Sequence, residues 1–180
     1  MKKYSIPTNY KGTKFRSRLE ANTAQAFDRL KIKWVFEPQS FLLESGIHYW
    51  PDFWLPELKT WVECKGYLTK EEHETHKEFM TQQLKENKDI LFVLISTQHI
   101  DVFEKGDGPL RWVEGIDDFS QPEMEPVILH KCFKCKKYYF STDIGDFGCK
   151  ACGEHNGDHN TVEYIFSSKD FFEYAGVNKE

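Results

Sequence analysis

The chain has 180 residues, 39% hydrophobic and 16% aromatic, which suffices for one ordinary core plus a small appendage and argues against disorder. No run of about 18 apolar residues occurs and the start lacks a signal-peptide stretch, so no membrane span is expected and the expected location is cytoplasmic. The net charge of −5 disfavours nucleic-acid partners, but residues 1–33 hold nine basic against two acidic side chains, a balance of +7 that leaves −12 elsewhere. This basic end is either a phosphate-contacting surface or a solvated arm.

The first predicted element is a helix over residues 17–31, where apolar side chains recur at helical spacing. Ser17 followed by Glu20 fits a capping box at its start. Pro38 marks a break or an edge within the first of the strand-like runs that come next. Three such runs are predicted, over residues 33–43, 47–55 and 60–65.

A second helix is predicted over residues 70–88, which are highly charged and contain neither Gly nor Pro. Its His73 and His76 are expected as exposed side chains rather than ligands. Residues 90–95 are continuously apolar and fit a buried central strand, whereas residues 105–126 are interrupted by Gly and Pro and are predicted to be a connecting segment. The order helix, three strands, helix, strand predicts a mixed α/β sheet flanked by helices.

Acidic residues in these elements indicate a cation site. Strand alternation places Glu63 and Lys65 on one face, and Val62 and Cys64 on the opposite face toward the core. If Asp52 shares the face of Glu63, the two carboxylates form an oxygen-rich pocket suited to Mg²⁺ or Mn²⁺. Lys65 beside them can then contact a phosphate or orient water. Carboxylates, a divalent cation and a lysine in this arrangement are what hydrolysis of a phosphodiester needs.

Each of these acids also has a purely structural interpretation. Glu20, which can complete a second metal position, can also serve only as a helix cap. Asp52 follows a proline and can be a turn residue. Glu63 and Lys65 can form an ion pair on a solvated face. Because each alternative is common alone, the prediction depends on the combination.

Four short strings carry a resemblance to a known family: FRSRLE at residues 15–20, IKWVFE at 32–37, PDFWLP at 51–56 and VECKG at 62–66. The proline-aspartate pair with the Glu-Cys-Lys string resembles the PD-(D/E)XK nuclease superfamily. The wider set, over about residues 10–105, resembles the phage endonuclease I type of Holliday-junction resolvase. It is also similar to the end-cleaving endonuclease subunit of some transposons and to other phage nucleases.

The resemblance implies a restriction-endonuclease-like mixed sheet flanked by helices, branched DNA as substrate and a homodimer. The metal ligands would be Glu20, Asp52, Glu63 and the backbone carbonyl of Cys64. Lys65 would contact the phosphate or the attacking water. A phage-encoded protein of this type would act in the host cytoplasm.

Four of the five cysteines form two Cys-x-x-Cys pairs separated by 13 residues: Cys132 with Cys135, and Cys149 with Cys152. Without an export signal this spacing favours a metal over disulfides, and four thiolates suit one structural Zn²⁺ in a closed tetrahedral site. Strand-like residues 138–140 and 161–166 complete a predicted zinc ribbon. His155 or His159 can replace a cysteine as ligand, and a redox role lacks the thioredoxin-like context.

The ribbon can fold the tail, dock a partner protein or bind DNA through lysines, with aromatic side chains available for stacking. The predicted DNA contacts are Lys11, Lys14, Arg16 and Arg18 near the start and Lys134, Lys136 and Lys137 in the ribbon. The predicted divisions are a nuclease domain at residues 1–122 with its core at about 15–105, the ribbon at 127–166, and a tail at 167–180 with a short helix over 168–174.

The sequence therefore predicts a Mg²⁺-dependent endodeoxyribonuclease that prefers branched DNA. One alternative is a phage or mobile-element nuclease of another specificity. Another is a non-catalytic adaptor whose ribbon binds DNA or protein. A transcription-factor-like ribbon protein is a weaker option, because it leaves residues 15–96 without a role.

Overall fold

The computed structural model shows a mixed α/β protein built on a six-stranded sheet, with smaller two-stranded sheets beside it. It describes residues 5–66, 68–87, 90–96, 110–112, 125–126, 128–141, 148–149, 151–155, 172 and 175–177. Within those ranges no helix combines the length and the apolar character needed to cross a bilayer. The predicted strand at 161–166 lies outside them, as does all of the predicted helix at 168–174 except Phe172.

The N-terminal elements are β1 (Thr8–Tyr10), β2 (Thr13–Phe15) and α1 (Arg18–Leu30). β1 and β2 form an antiparallel hairpin, whose Lys11-Gly12 turn has positive φ at both residues, as a type I′ turn requires. α1 confirms the predicted first helix, and Ser17 is its N-cap because the Ser17 hydroxyl accepts from the Glu20 N–H at 3.1 Å. Ala21, Ala24 and Phe27 give the helix its buried face.

The two predicted strands that precede residue 60 are each divided, which corrects the sequence prediction. They form β3 (Val35–Phe36), β4 (Phe41–Leu42), β5 (His48–Tyr49) and β6 (Phe53–Leu55). Glu37 has a φ of 42°, and Pro38 follows it, so the backbone turns away from the main sheet. β4 and β5 pair only with each other, whereas β3 and β6 belong to the main sheet.

The centre of the main sheet is a parallel pair joined by a helix: β7 (Thr60–Lys65), α2 (Lys70–Glu86) and β8 (Leu91–Ser96). These three elements confirm the predicted third strand, second helix and buried strand. β9 (Leu110–Trp112) and β10 (Glu125–Pro126) extend the sheet, giving the order β10-β9-β8-β7-β6-β3. The prediction of residues 105–126 as only a connecting segment is therefore wrong. The segment contains two short strands, and β9 pairs with the central strand β8 while β10 pairs with β9.

The central strands β6, β7 and β8 are packed on both faces, with α1 on one face and α2 on the other. α1 and the facing side chains of β6, β7 and β8 make the first core, which includes Phe53, Val62 and Cys64. α2 and the opposite faces of those strands make the second core, which includes Trp61 and Phe79. Full burial of a large apolar side chain is worth roughly 1.5–3 kcal/mol, so these two layers fix the register of the central strands.

The second core contains a close tryptophan pair. Trp54 on β6 lies directly across from Trp61 on β7, and their ring centroids are 4.5 Å apart. Cross-strand aromatic pairs of this kind stabilise a sheet. The pair lies two residues along each strand from Asp52 and Glu63.

The C-terminal strands β11 (Ile128–Lys131) and β12 (Tyr138–Ser141) form an antiparallel hairpin. Leu129 and Phe140 from this hairpin pack in the first core with α1, together with Phe172, Ala175 and Val177. The ribbon is therefore packed against the main sheet through shared apolar side chains.

Candidate active site

Asp52 and Glu63 lie opposite each other at the carboxyl end of β7. Phe53 pairs with Val62, so the same antiparallel register extended by one residue places Asp52 across from Glu63. The Cys64 N–H donates to Asp52 Oδ2 at 2.8 Å, which fixes the carboxylate against the strand. Both acids are buried, with 2% and 3% of their surfaces exposed. The structure thus brings these two predicted ligands together, with Asp52 just before β6 rather than within it.

Burial makes both carboxylates harder to ionise. Burial raises the pKa of Asp52 well above 3.8, and the charge of Glu63 raises it further, although the Cys64 N–H and Arg16 oppose the shift. Burial also raises the pKa of Glu63, against the opposing effects of Lys65 and Tyr49. Two neighbouring acids of this kind resist being charged together, and a cation placed between them would relieve the repulsion.

Arg16 supplies a cation at this position in the structure. Arg16 Nη2 lies 2.8 Å from Asp52 Oδ1 and 2.6 Å from Glu37 Oε1. The Glu37 N–H donates to the Asp52 carbonyl at 2.8 Å, which holds the second acid close. Arg16 was predicted as a DNA contact, and its position on Asp52 adds a role that the sequence did not reveal. Glu37 was missed, although its string had been noted.

Glu20 closes the site on the α1 side. Its carboxylate accepts from the Ser17 hydroxyl at 2.7 Å and from the Arg16 N–H at 3.0 Å, one residue before the N-cap. Glu20 is 5% exposed, and its charge contributes to the raised pKa of Asp52. The same side chain therefore caps the helix and lies on the side of the other acids, and its role as a metal ligand stays a prediction. Within the described residues, the four ribbon cysteines are the one group of three or more Cys, His, Asp or Glu side chains whose ligand atoms all lie within 4.8 Å of one another.

Lys65 connects the site to α2. Its Nζ lies 3.1 Å from Glu63 Oε1 and 3.3 Å from Glu72 Oε1. Burial alone would lower the pKa of Lys65, but the two carboxylates outweigh it and raise that pKa. Glu72 uses its other oxygen for a capping box, in which Oε2 accepts from the Thr69 N–H at 2.9 Å. Glu63 and Lys65 thus share a face, as predicted.

Tyr49 and His76 complete the surroundings of Glu63, and the sequence analysis missed both. The Tyr49 hydroxyl donates to Glu63 Oε2 at 2.8 Å, and His76 Nε2 lies 3.8 Å from Glu63 Oε1. The prediction that His73 and His76 are exposed is wrong, because they are 4% and 3% exposed. Helical periodicity would have placed His76 on the Phe79 face, three positions before Phe79, and His73 next to it, three positions before His76.

The thiol of Cys64 points away from the acids into the first core, 3.5 Å from the Thr23 hydroxyl. Burial raises the pKa of this thiol well above 9.0, so it is not a ready nucleophile. This agrees with a site in which only the backbone of Cys64 takes part. The role of its carbonyl as a ligand stays a prediction.

The four ribbon cysteines form a compact cluster. Their thiol sulfurs lie within 4.8 Å of one another, with the Cys132–Cys152 pair at 3.7 Å and the Cys135–Cys149 pair at 3.6 Å. This grouping confirms a four-cysteine set that could hold a metal ion. His155 is exposed and the set is complete without it, whereas His159 lies outside the described residues.

Two matching turns hold the cysteines. In the first, the Lys136 N–H donates to the Cys132 carbonyl at 2.9 Å, and in the second, the Gly153 N–H donates to the Cys149 carbonyl at 2.8 Å. Lys136 and Gly153 have φ values of 60° and 70°, so both turns end in the left-handed region. We call these turns the first knuckle (132–137) and the second knuckle (Cys149 with residues 151–154). Matched turns present all four sulfurs to one point, the arrangement that structural Zn²⁺ uses.

The remaining predicted DNA contacts lie at the surface. Lys11 pairs with Asp28 at 2.7 Å, and Lys134 pairs with Glu154 at 2.5 Å. The others are exposed: Lys14, Arg18, Lys136 and Lys137. Their contact with DNA stays a prediction.

A scan against protein-family models finds no match to this chain, and neither do searches of curated proteins and of solved structures.

Proposed function

We propose that the protein is a metal-dependent DNA endonuclease of the PD-(D/E)XK type with a restriction-endonuclease-like fold. The observation that carries this proposal is the pair of buried, facing carboxylates, Asp52 and Glu63, with Lys65 beside them. Placing two acids together in a dry position is unfavourable, and a fold that needed only stability would fill such a position with apolar groups.

The residues present fit a hard divalent cation. Glu20, Asp52 and Glu63 offer oxygen donors, the ligands that Mg²⁺ and Mn²⁺ prefer. The guanidinium of Arg16 lies between Asp52 and Glu37, so the site already holds a positive charge where a cation would bind. Bound Mg²⁺ would supply Lewis acidity, lowering the pKa of water and neutralising phosphate charge.

The surrounding side chains would prepare this site for phosphodiester hydrolysis. Tyr49 holds Glu63 Oε2, and the Cys64 N–H holds Asp52 Oδ2. The other two carboxylate oxygens face Lys65 and Arg16, and a cation would bind them once those side chains turn to the phosphate. Lys65, charged because its pKa is raised, would bind the scissile phosphate. Arg16 must then leave Asp52, and a phosphate is a suitable alternative partner for its guanidinium.

For the ribbon we propose one structural Zn²⁺ held by Cys132, Cys135, Cys149 and Cys152. The four-sulfur set is soft and closed, which fits a structural rather than a catalytic ion. The preference for branched DNA and the homodimer rest on the family resemblance and belong to the same proposal.

The test is cleavage with Mg²⁺ or Mn²⁺ of a four-way junction, a flap, a duplex and a single strand. Wild type would be compared with Asp52→Asn and with Glu44→Gln, a control that removes an exposed carboxylate paired with Lys85. We expect the control to cut like wild type and Asp52→Asn to be inactive. Paired nicks at the junction support a resolvase, whereas cutting of every substrate supports a nuclease of another specificity.

Two outcomes would count against the proposal. Activity of Asp52→Asn equal to wild type would overturn the site. A wild type that binds DNA and zinc but cuts no member of the panel with either cation would favour the non-catalytic adaptor.

A further inference from the structure

A basic cleft lies at the seam between the main sheet and the ribbon, away from the candidate active site. It has a volume of about 310 Å³, and its walls are the C-terminal end of α1, the turn between β6 and β7, and the first knuckle. We call it the seam cleft. Its basic lining residues are Arg29, Lys31, Lys33, Lys131, Lys136 and Lys137.

The positive charge of the seam cleft is only partly compensated. The carboxylate in its lining is Glu57, which lies 2.6 Å from Lys33. Lys33 lowers the pKa of Glu57 most strongly, and Lys137 from the ribbon adds to the effect, so this one acid is shared across the seam. Within the described part of the chain, no ion-pair partner faces Lys31 or Lys136. The cleft thus keeps cations that are available to a ligand.

Other contacts hold the remaining cations in place. Arg29 donates to the carbonyls of Ala175 and Gly176, and the Lys131 ammonium lies 5.3 Å from the centre of the Tyr138 ring. These contacts fix side chains at the rim without cancelling their charge. An anion entering the cleft would therefore meet a largely preformed site.

The backbone indicates that the two unpaired lysines are kept for their side chains. Lys31 is the C-cap of α1 with a φ of 58°, and Lys136 ends the first knuckle with a φ of 60°. Both conformations favour glycine, and the matching position of the second knuckle is Gly153. Lysine at both positions costs backbone strain that glycine would avoid, and both lysines line the same cleft, so their side chains are the reason to expect a role there.

Helix electrostatics explain only part of this arrangement. Cations near the C-terminus of α1 are favoured by its dipole, which accounts for Arg29 and Lys31. The dipole does not account for the lysines contributed by the ribbon, which belong to another part of the chain. Convergence from two elements is typical of an anion-binding site.

We infer that the seam cleft binds the phosphodiester backbone of a DNA strand. α1 has 13 residues and begins at the carboxylates, so the cleft lies about 20 Å from them. At about 3.4 Å per nucleotide, this distance corresponds to a contact about six nucleotides from the cut. DNA as the ligand, and this spacing, rest on the proposed function, whereas the cleft as a phosphate site does not.

The test uses glycine substitutions, because glycine suits the left-handed positions and should leave the melting temperature nearly unchanged. Lys31→Gly, Lys136→Gly and the double variant remove cleft charges. Lys59→Gly is the matched control, since Lys59 also has a positive φ of 49° but does not line the cleft. DNA affinity is measured against salt concentration without added divalent cation, so no strand is cut.

Each cleft variant should bind DNA more weakly and reduce the slope of log K against log salt by about 1, and the double variant by about 2. Lys59→Gly should leave the slope unchanged. Equal slopes for wild type and the double variant would overturn the inference, as would equal losses in all single variants. A competition experiment with inorganic pyrophosphate distinguishes DNA phosphate from a free anion as the ligand of the cleft. If pyrophosphate binds the wild type but not the cleft variants, and the salt slopes of DNA binding are unchanged, the cleft is a free-anion site and the inference is overturned. Binding through the cleft without cleavage would overturn only the nuclease proposal.

Discussion

Asp52 is a residue whose burial beside a second acid works against the stability of the folded protein as the pH rises. Burial and Glu63 raise its pKa in the folded protein, so the folded state retains the Asp52 proton to a higher pH than the unfolded chain does. Stability therefore falls as the pH rises from 3.8 through the folded pKa. The asparagine in Asp52→Asn keeps an oxygen for the Cys64 N–H and removes the charge.

We expect Asp52→Asn to be more stable than wild type at pH 8 by about 1 kcal/mol or more, and to show no gain below the unfolded pKa. Denaturant unfolding of both proteins, at pH 8 and at a pH below 3.8, measures the difference in their free energies of unfolding. The same preparations should have lost cleavage, the trade-off expected of a site residue. A variant that is less stable than wild type at pH 8 would show that Asp52 is mainly a structural partner of Arg16.

His76 gives the opposite pH dependence. Burial, with Lys65 and His73 nearby, lowers its pKa from 6.5 to about 3, so the unfolded chain takes up the proton first as the pH falls. Its contribution to stability is complete above pH 6.5 and is lost between 6.5 and about 3. Glu63 and Tyr49 also face the ring.

We expect His76→Gln to show less acid destabilisation than wild type between pH 6.5 and pH 4, by up to about 3 kcal/mol. His48→Gln, which changes an exposed histidine, is the control and should unfold like wild type. Thermal melts from pH 7 to pH 4 provide the measurement. If both variants follow the wild-type curve, His76 is not the buried neutral group that the structure shows.

At the residue scale, the sequence predicted which side chains come together by local spacing better than it predicted their burial and their distant contacts. Strand alternation correctly placed Glu63 and Lys65 together, and the cysteine spacing identified the four-thiol set. The sequence did not reveal the roles of Tyr49 and Glu37. Their partners, Glu63 and Asp52, lie 14 and 15 positions further along the chain, across turns that no local pattern predicts. Arg16 was recognised as basic, but charge alone cannot tell a solvent-facing cation from one held by a buried acid.

Among the elements, α2 is directly coupled to the candidate site through its N-terminus. Glu72 closes the capping box with Thr69 through one oxygen and holds Lys65 through the other. A glutamine can still form the box, but it removes the charge that helps raise the pKa of Lys65. Helix stability and lysine ionisation can therefore be separated by substitution.

We expect Glu72→Gln to leave the melting temperature nearly unchanged and to move the alkaline limb of the pH–rate profile to lower pH. Thr69→Ala is the reciprocal variant, which should cost about 1 kcal/mol of stability and keep the profile. Unfolding curves and pH–rate profiles together distinguish the two. An unchanged profile in Glu72→Gln would remove Glu72 from the positioning of Lys65.

The elements also show where sequence patterns stop being informative. The two helices and the central strands were predicted almost to the residue, because helix capping and continuous apolar runs are local signals. The divided strands before residue 60 depend on the positive φ of Glu37 and on which sheet each half joins. The short edge strands β9 and β10 form because β8 offers a partner, which is a tertiary effect.

On the scale of the whole molecule, the ribbon and the main sheet share one core. Leu129 and Phe140 pack with α1 and the sheet, while the ribbon's own cluster consists of cysteines and Tyr139. That cluster is too small to hold the hairpin by itself, and a metal ion bound by the four cysteines would add to the stability that the shared core supplies. Loss of zinc from such a site should therefore weaken the main core as well.

We expect one zinc per chain in wild type, and a loss of zinc together with a lower melting temperature of the entire chain in Cys149→Ser. Cys64→Ala is the thiol-matched control and should keep its zinc. Elemental analysis and calorimetry make the comparison. Zinc in Cys149→Ser at the wild-type level would contradict the four-cysteine site.

The close, tilted pair of Trp54 and Trp61 has a practical consequence for studying these proposals. Indole rings this close couple their electronic transitions, which gives an exciton signal in the near- and far-ultraviolet circular dichroism. Glu63 lies two positions from Trp61 on β7, and Asp52 lies two positions from Trp54, just before β6. A cation that changes the spacing of the two acids should therefore alter the coupling of the rings. The protein thus contains a spectroscopic reporter for its own candidate site, readable without label, substrate or turnover.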